Sequence, residues 1–169
     1  QLVSLALDGL VCASSCQTKI LPGISSSYVS SRSITGGIPD CLWSMPQLKI
    51  LHLSGNKLSG SLSSGDMIIS SSLKDLSLSY NLLTGSIPRN IQTKSWTKLD
   101  LSHNRLSGTL MSNFTDNPSL SLTNNRLSGP IPRRFRDMRN IDILEGCIYD
   151  CEYDHSNLPT YDKDKSIYK

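Results

Sequence analysis

The residues best able to do chemistry lie close together near position 100, where Asp100, Ser102 and His103 occur within four positions. A carboxylate, a hydroxyl and an imidazole are the groups used in nucleophilic catalysis. Neighbouring residues of a strand, however, point to opposite faces, and the chain has no G-x-S-x-G nucleophile elbow. It also has no phosphate-binding P-loop, no H-E-x-x-H motif and no dinucleotide fingerprint. The sequence therefore predicts a protein that is not an enzyme and that uses no cofactor.

The cysteines lie towards the two ends of the chain, and all are disulfide candidates in an oxidising compartment: Cys12, Cys16, Cys41, Cys147 and Cys151. A zinc site is disfavoured because the Cys12-x3-Cys16 pair has no second pair or histidine nearby, so no metal is predicted. The odd count means that one thiol is free or is bonded outside this chain. The sequence leaves open which of Cys147 and Cys151 is bonded.

A repeated motif must position the central residues. Each copy reads L-x-x-L-x-L-x-x-N-x-L-[ST]-G, beginning at Leu48, Leu73 and Trp96, and Asn117 replaces the first apolar residue of a fourth copy. One asparagine recurs in each copy, at Asn56, Asn81, Asn104 and Asn125. A step of 24 residues back from Asn56 reaches Arg32 in a worn copy that contains Val29 and Gly36, and a step of 24 forward from Leu120 reaches Leu144.

The alternation of leucines in each copy predicts a short strand with one buried face. A single copy cannot bury that face alone, but stacked copies pair their strands in parallel and share one thin apolar core. An asparagine buried at the turn has donors and an acceptor for the backbone of the bend, since leaving them unpaired would be costly. We therefore expect the four asparagines to form a structural ladder.

These motifs resemble the leucine-rich repeat family, and the L-[ST]-G-x-I-P segments at 83–88 and 127–132 resemble its plant-type subclass. The resemblance implies an α/β-type solenoid, a right-handed superhelix of about five coils plus caps, with short parallel strands on the concave face and little helix. The expected organisation is an N-terminal cysteine-containing cap at 1–23, repeats at 24–146 and a C-terminal cap or linker at 147–169. The coils are expected at 24–47, 48–72, 73–95, 96–116 and 117–140, with a truncated one at 141–146. The first coil, with Arg32 in place of asparagine, and the copy that begins at Asn117 are expected to be irregular.

Variable positions of the strands form columns on the concave face. One column, here called the hydroxyl column, is expected to bond the backbone near the turn through its short side chains. It consists of Ser30, Ser54, Ser79, Ser102 and Thr123. The mixed columns carry aromatic, acidic and basic side chains, a combination found at protein and sugar interfaces. A solvated face without a partner remains the competing interpretation. The candidate ligand-binding residues are Tyr28, His52, Asp75, Tyr80, Lys98, Asp100 and His103, with Tyr28 expected in the same column as His52.

Two surface features lie outside these columns. Asn113-Phe114-Thr115 is an N-x-[ST] acceptor in a loop between strands, so Asn113 is a glycosylation candidate if the chain is secreted. Four arginines, at positions 133, 134, 136 and 139, form a basic cluster on the expected convex side. A solvated surface explains the cluster, and an anionic partner is the alternative.

The preferred hypothesis is a non-catalytic recognition module, extracellular or at the cell surface. The family resemblance implies that it binds protein, peptide or glycan ligands through the concave face. The alternatives are a structural solenoid that binds a surface such as ice or polysaccharide, and the ectodomain of a receptor kinase. A net charge of +3 without a dense basic stripe disfavours nucleic acid. No apolar run reaches the roughly 18 residues of a membrane span, although a longer parent chain with an anchor is expected.

Overall fold

The computed structural model describes residues 5–6, 28–30, 35–38, 40–62 and 67–150. Within them, parallel strands form two sheets along successive coils. The inner sheet contains β1 (Leu5–Ala6), β2 (Tyr28–Ser30), β4 (Ile50–His52), β6 (Asp75–Ser77), β8 (Lys98–Asp100), β10 (Leu120–Ser121) and β12 (Ile141–Asp142). The outer sheet contains β3 (Thr35–Gly36), β5 (Lys57–Ser61), β7 (Leu82–Ser86), β9 (Arg105–Gly108), β11 (Arg126–Pro130) and β13 (Ile148–Asp150).

Helix is scarce in the part of the chain that the structure describes. It comprises α1 (Asp40–Ser44), α2 (Arg89–Gln92) and a 3-10 helix at Arg133–Asp137. These segments join the end of one coil to the next inner strand. The parallel sheets, the short helices and the stacking of coils confirm the predicted α/β solenoid.

The core consists of stacked leucines, one above another in successive coils, between the two sheets, as the alternating pattern predicts. Leu53, Leu78, Leu101 and Leu122 have no exposed surface. Aromatic residues fill the wider space beside the helical segments, where Trp43, Trp96, Phe114 and Phe135 are buried and the two phenylalanine rings lie 5.1 Å apart. The solenoid therefore buries one narrow apolar layer and leaves the inner strands with an exposed face.

The first coil corrects one predicted register. Val29 pairs with Leu51 and Tyr28 lies opposite Ile50, so the expected place of Tyr28 beside His52 is wrong by two residues. The reason is a shorter turn, because the left-handed Gly36 follows Val29 by seven positions, whereas Gly60 follows Leu51 by nine. The 24-residue step was measured between turns and does not carry over to the strand.

The last coil is also shifted from its expected register. Ile141, rather than Leu144, pairs with Leu120, and Ile143 is buried with the leucines. β13 then pairs with β11 inside the segment expected to form the C-terminal cap or linker. The copy of the motif that begins at Asn117 is irregular, as expected, since β10 has two residues where β4, β6 and β8 each have three.

Candidate functional site

The exposed face of the inner sheet contains two rows of side chains defined by strand register. Ile50, Asp75 and Lys98 are paired across β4, β6 and β8 in one row. His52, Ser77 and Asp100 are paired across the same strands in the other row. The parallel register therefore brings residues more than 20 positions apart in the sequence onto one surface.

His52 and Asp75 form a direct contact across this face. The Nε2 atom of His52 lies 2.8 Å from Oδ1 of Asp75, and the two side chains are 29% and 24% exposed. The contact runs diagonally from one row to the other, a distance that long side chains can span between adjacent strands. Two of the predicted ligand-binding residues are therefore held in fixed positions with part of their polar surface accessible.

Asp100 is the centre of a second group of hydrogen bonds. Its Oδ1 accepts from the Ser102 hydroxyl at 2.7 Å and from the Ser102 N–H at 3.1 Å, and its Oδ2 accepts from the Ser77 hydroxyl at 3.4 Å. The Ser102 hydroxyl is directed to Asp100 and not to His103, so these residues do not adopt the order of a catalytic triad, in which histidine lies between the other two. Ser77 joins this network although its column gave no reason to select it.

The hydroxyl column differs from its expectation. The Ser79 hydroxyl donates to the Ser54 oxygen at 3.0 Å, and the Ser54 and Ser77 hydroxyls lie 2.7 Å apart. These bonds join side chains of neighbouring coils, and they replace the expected bonds to the backbone. Ser79, Ser102 and Thr123 are 5%, 6% and 4% exposed. A lattice such as ice would need this column at the surface, whereas these three members are buried and Ser54 is half-buried.

Tyr80 and His103 lie at the end of the inner strands, where the chain turns. Their rings are stacked, with centroids 4.0 Å apart and planes 11° apart. Both residues have left-handed backbone conformations, with φ values of 55° and 52°. Tyr80 is 61% exposed. The stack is therefore a large apolar and aromatic surface beside the polar network.

Two of the predicted residues are not part of these groups. Lys98 is opposite Asp75 in register, but among the described residues no ion pair of Lys98 is found. Tyr28 lies in β2, one coil before His52, in the row of Ile50. Together with His52, Asp75, Tyr80, Asp100 and His103, they complete the set of predicted residues on the inner sheet or its adjoining turn.

The asparagine ladder fixes the turns beside this face. The Nδ2 group of Asn104 donates to the carbonyl oxygens of Leu78, Leu101 and Ser102 at 3.0–3.1 Å, and its Oδ1 accepts from the Leu83 N–H at 3.1 Å. Asn81 and Asn125 make the same set of contacts in their own coils. Asn56 donates to Leu53 and Ser54 of its own coil. Each central asparagine thus joins two coils.

Asn117 is a buried polar residue at the position where the repeat expects leucine. It is 3% exposed, its Oδ1 accepts from the Trp96 N–H at 2.8 Å, and its Nδ2 donates to Thr115. Gln92 is also a buried amide that bonds the backbone of two coils. It donates to the Ile87 carbonyl and accepts from the Met111 N–H, both at 2.8 Å. The departure from the motif was visible in the sequence, but the partner 21 residues away was not.

The cysteines that the structure describes and the glycosylation candidate Asn113 lie outside the inner-sheet face. Cys12, Cys16 and Cys151 lie outside the described residues, and Cys41 lies in α1. Cys147 is a free thiol in the part of the chain that is described. Asn113 is exposed in a turn.

The basic cluster lies beside the 3-10 helix. Arg134 donates to the Phe114 carbonyl at 2.6 Å, and its Nε lies 3.7 Å from Asp116. Arg133, Arg136 and Arg139 are exposed. Across residues 28–30, 35–38, 40–62 and 67–150, no group of three or more histidine, cysteine or acidic side chains could hold a metal ion. No helix in these ranges is long and apolar enough to cross a bilayer.

Comparison with known proteins identifies the family. The Leucine Rich Repeat family model matches residues 47–65, 72–93, 95–117 and 119–138. The leucine-rich repeat ectodomain of the receptor kinase SOBIR1 from Arabidopsis thaliana is similar over 73% of this chain and 71% of that chain, with 32% identity and a TM-score of 0.60. The chain belongs to the leucine-rich repeat family, and it is a receptor-like module of the plant type.

Further similarities define the class more closely. Receptor-like protein 7 of Arabidopsis thaliana is 38% identical over an alignment of 104 positions, which covers 48% of this chain and 11% of that protein. The Arabidopsis receptor kinase HAESA, in a structure with the peptide hormone IDA and the co-receptor SERK1, is 29% identical over 72% of this chain and 22% of that chain, with a TM-score of 0.59. A plant ice-binding protein is 28% identical over 76% of this chain and 45% of that chain, with a TM-score of 0.59.

The chain spans about a tenth of the length of the curated relatives that it matches. Receptor-like ectodomains of this family are non-catalytic recognition modules, which confirms the prediction that the chain is not an enzyme. The inner-sheet face is the candidate site.

Proposed function

We propose that this chain is part of a plant receptor-like protein, extracellular or at the cell surface, and that it binds a protein or peptide through the exposed face of the inner sheet. The observation that carries the proposal is the organisation of this face. A fixed His52–Asp75 pair and a hydrogen-bonded Asp100 network lie beside the exposed Tyr80–His103 stack.

This combination fits a polypeptide ligand. Interfaces between proteins are enriched in aromatic residues and contain polar groups already oriented for hydrogen bonding. Because the polar side chains are held by each other, little conformational entropy is lost when a ligand binds. The relation to HAESA supports the same class of ligand, since the structure of that receptor contains a peptide hormone.

Two of the alternatives receive less support. Ser79, Ser102 and Thr123 of the hydroxyl column are buried, so they offer no regular surface to an ice lattice, and the similarity to an ice-binding protein is explained by the shared repeat fold. A glycan would require polar groups directed outward, whereas the Ser54, Ser77 and Ser79 hydroxyls are bonded to one another. The ectodomain of a receptor kinase stays compatible with the same recognition role, and the complete coding sequence distinguishes it from a receptor-like protein.

A displayed library of random 12-residue peptides, selected on the immobilised chain, tests the proposal. Selected peptides are then measured by interferometry against Asp75→Ala on the inner face and Arg136→Ala, an exposed residue of the 3-10 helix, as the matched control. We expect Asp75→Ala to weaken binding about tenfold, the change expected for one lost interface contact, and Arg136→Ala to leave it unchanged. Peptides that bind both variants like the wild type, or a chain that retains cell-wall oligosaccharides and selects no peptide, would overturn the proposal.

A further inference from the structure

We infer that the turn beside the inner sheet contains a slot for one aromatic side chain of the ligand, formed by the open face of Tyr80 above Gly55. This inference rests on the proposed function, because it takes the ligand to be a protein or peptide. It concerns the residue that immediately precedes the ladder asparagine in each coil, here called the turn column. The turn column consists of Gly55, Tyr80, His103 and Asn124.

The turn column has the same backbone conformation in successive coils. Its φ values are 72°, 55°, 52° and 54° from Gly55 to Asn124. The N–H groups of Gly55, Tyr80 and His103 each donate to the next coil, to Ser79, Ser102 and Thr123, at 2.9–3.1 Å. The side chains therefore leave the backbone in the same direction, one above another along the solenoid.

Tyr80 and His103 show what this arrangement does to rings. Strands of a sheet are roughly 4.8 Å apart, close to the separation of stacked rings, and the two rings are stacked with centroids 4.0 Å apart. His103 covers one face of Tyr80 and holds the ring in a fixed orientation. The order of the inner strands is β4, β6, β8, so the opposite face of Tyr80 is directed towards the coil of Gly55.

The position beside that opposite face has no side chain. Gly55 is exposed, and a Cβ atom placed on it meets no atom within 4 Å. In the next two coils the same position holds an aromatic ring. The stack therefore ends at Tyr80, with space for one more ring in register.

The local chemistry favours an aromatic side chain over a sugar ring. Stacking requires contact with the face of Tyr80 and little else, whereas a sugar also needs hydrogen-bonding partners. The hydroxyls of Ser54 and Ser79, each one residue before the turn column, are bonded to each other at 3.0 Å, and Ser54 also lies 2.7 Å from the Ser77 hydroxyl. The slot thus offers an oriented ring, beside serine hydroxyls that are already bonded to other serines.

The sharpest test fills the slot with a ring from the protein itself. Gly55→Tyr should extend the stack, because the same backbone conformation accommodates Tyr80 and His103. Gly55→Asn is the matched control, since Asn124 occupies this conformation with a small side chain. We expect peptides selected as above to contain one essential aromatic residue, and Gly55→Tyr to weaken them at least tenfold while Gly55→Asn weakens them less than threefold. A single cooperative melting transition, well above the temperature of the binding assay, would show that both variants fold.

Variants of Tyr80 and His103 distinguish the loss of an aromatic ring from a general loss of structure. Tyr80→Phe should retain binding and Tyr80→Ala should lose about tenfold. His103 is a positioning residue, so His103→Phe should retain binding while His103→Ala weakens it. Replacing the essential aromatic of the peptide by leucine should remove the difference between wild type and Gly55→Tyr. If peptides depend on Asp75 but bind Gly55→Tyr normally, the slot is wrong and the proposed function stands.

If no peptide is selected, the proposed function fails, but a small aromatic probe still tests whether the slot binds a ring. N-acetyltryptophanamide at millimolar concentration should shift the amide resonance of Gly55 and the ring resonances of Tyr80 in the wild type but not in Gly55→Tyr. No shift in the wild type would overturn the inference. A shift produced by methyl β-glucoside and not by the tryptophan derivative would also overturn it, because the slot would then be a sugar site.

Discussion

The Sγ atom of Cys147 donates a hydrogen bond to the carbonyl oxygen of Leu122, 3.5 Å away. Asn125 makes the equivalent contact one coil earlier, where its Nδ2 donates to Leu101 at 3.0 Å. Cys147 therefore occupies the last position of the asparagine ladder with a weaker donor and without an amide oxygen. The Cys147 thiol, which is free within the described part of the chain, is therefore part of the repeat itself.

Replacing this thiol by an amide should extend the ladder. Cys147→Asn is expected to increase the free energy of unfolding by about 1 kcal/mol, since a thiol is a weak donor and an amide is a strong one. Urea denaturation followed by circular dichroism measures the change. Cys147→Ala is the control and should be close to neutral, and a Cys147→Asn variant no more stable than Cys147→Ala would contradict the assignment.

The centre of the ladder should be far more sensitive. Asn104→Ala removes a buried side chain that bonds two coils, and we expect a loss of about 1–3 kcal/mol because the backbone groups keep no partner. Asn113→Ala, at an exposed turn, should leave the denaturation midpoint unchanged. Equal midpoints for the two variants would show that the ladder does not stabilise the coils.

Two glycines of equal conformation should respond differently to alanine. Gly55 and Gly146 have φ values of 72° and 69°, so alanine is strained by about 1–2 kcal/mol at either position. At Gly146 the added Cβ would also lie 2.8 Å from the Cα atom of Asn124, whereas at Gly55 it meets nothing within 4 Å. Gly146→Ala should therefore be less stable than Gly55→Ala by a further 1–3 kcal/mol or so. Equal losses in urea denaturation would show that the last coil can move away.

The alkaline stability of the protein should depend on Tyr149. Burial, reinforced by the nearby Cys147, raises the pKa of this hydroxyl well above its ordinary value of 10. The folded state then retains a proton that the unfolded state loses above pH 10, so stability falls as pH rises from there. Tyr149→Phe should flatten the decline in melting temperature between pH 10 and 11 or so. Tyr80→Phe, at an exposed ring, should not, and parallel declines in all three proteins would contradict the prediction.

The same substitution should be harmless at neutral pH. The Tyr149 hydroxyl is buried without a well-formed hydrogen bond to the described residues, and the nearby Cys147 thiol already donates to Leu122, so removal of the hydroxyl leaves no other group unpaired. A melting temperature of Tyr149→Phe well below that of the wild type at pH 7 would indicate a partner for the hydroxyl.

Asn113 remains a predicted glycosylation site. Its exposed turn leaves the side-chain amide accessible, while the neighbouring Phe114 is anchored in the core. Expression through a plant secretory pathway should give a mass increase that is absent from Asn113→Gln, measured by intact-protein mass spectrometry. A wild-type mass equal to that of the bare chain would show that the site is not used.

Much of the fold could be predicted because the repeat imposes it locally. The spacing of Leu51 and Leu53, repeated in three further coils, is sufficient to predict parallel stacking, and each of these leucines is fully buried. The first and last coils were harder to predict, because each contains several apolar residues that could take the place of the strand leucine. Only the pairing of Val29 with Leu51, and of Ile141 with Leu120, shows which residue does so.

The candidate site was predictable as a list of residues but not as an arrangement. The columns gave His52, Asp75, Tyr80, Asp100 and His103, yet nothing in the spacing indicated which would touch. His52 could have faced Ser77 alone, its partner in register, and instead reaches diagonally to Asp75. Ser77 was overlooked because a serine in a variable column carries no distinctive signal.

The sequence by itself determined the coil, because burying a leucine every second residue and satisfying one asparagine per turn leave few other ways to fold. Only the tertiary structure decided which side chains of neighbouring coils meet, such as Tyr80 with His103 and Asn117 with Trp96. The physical reason is that these contacts depend on turn lengths of a residue or two and on rotamers set by packing between coils. The motif specifies the residues that are the same in every coil, whereas these contacts are made by residues that differ from coil to coil.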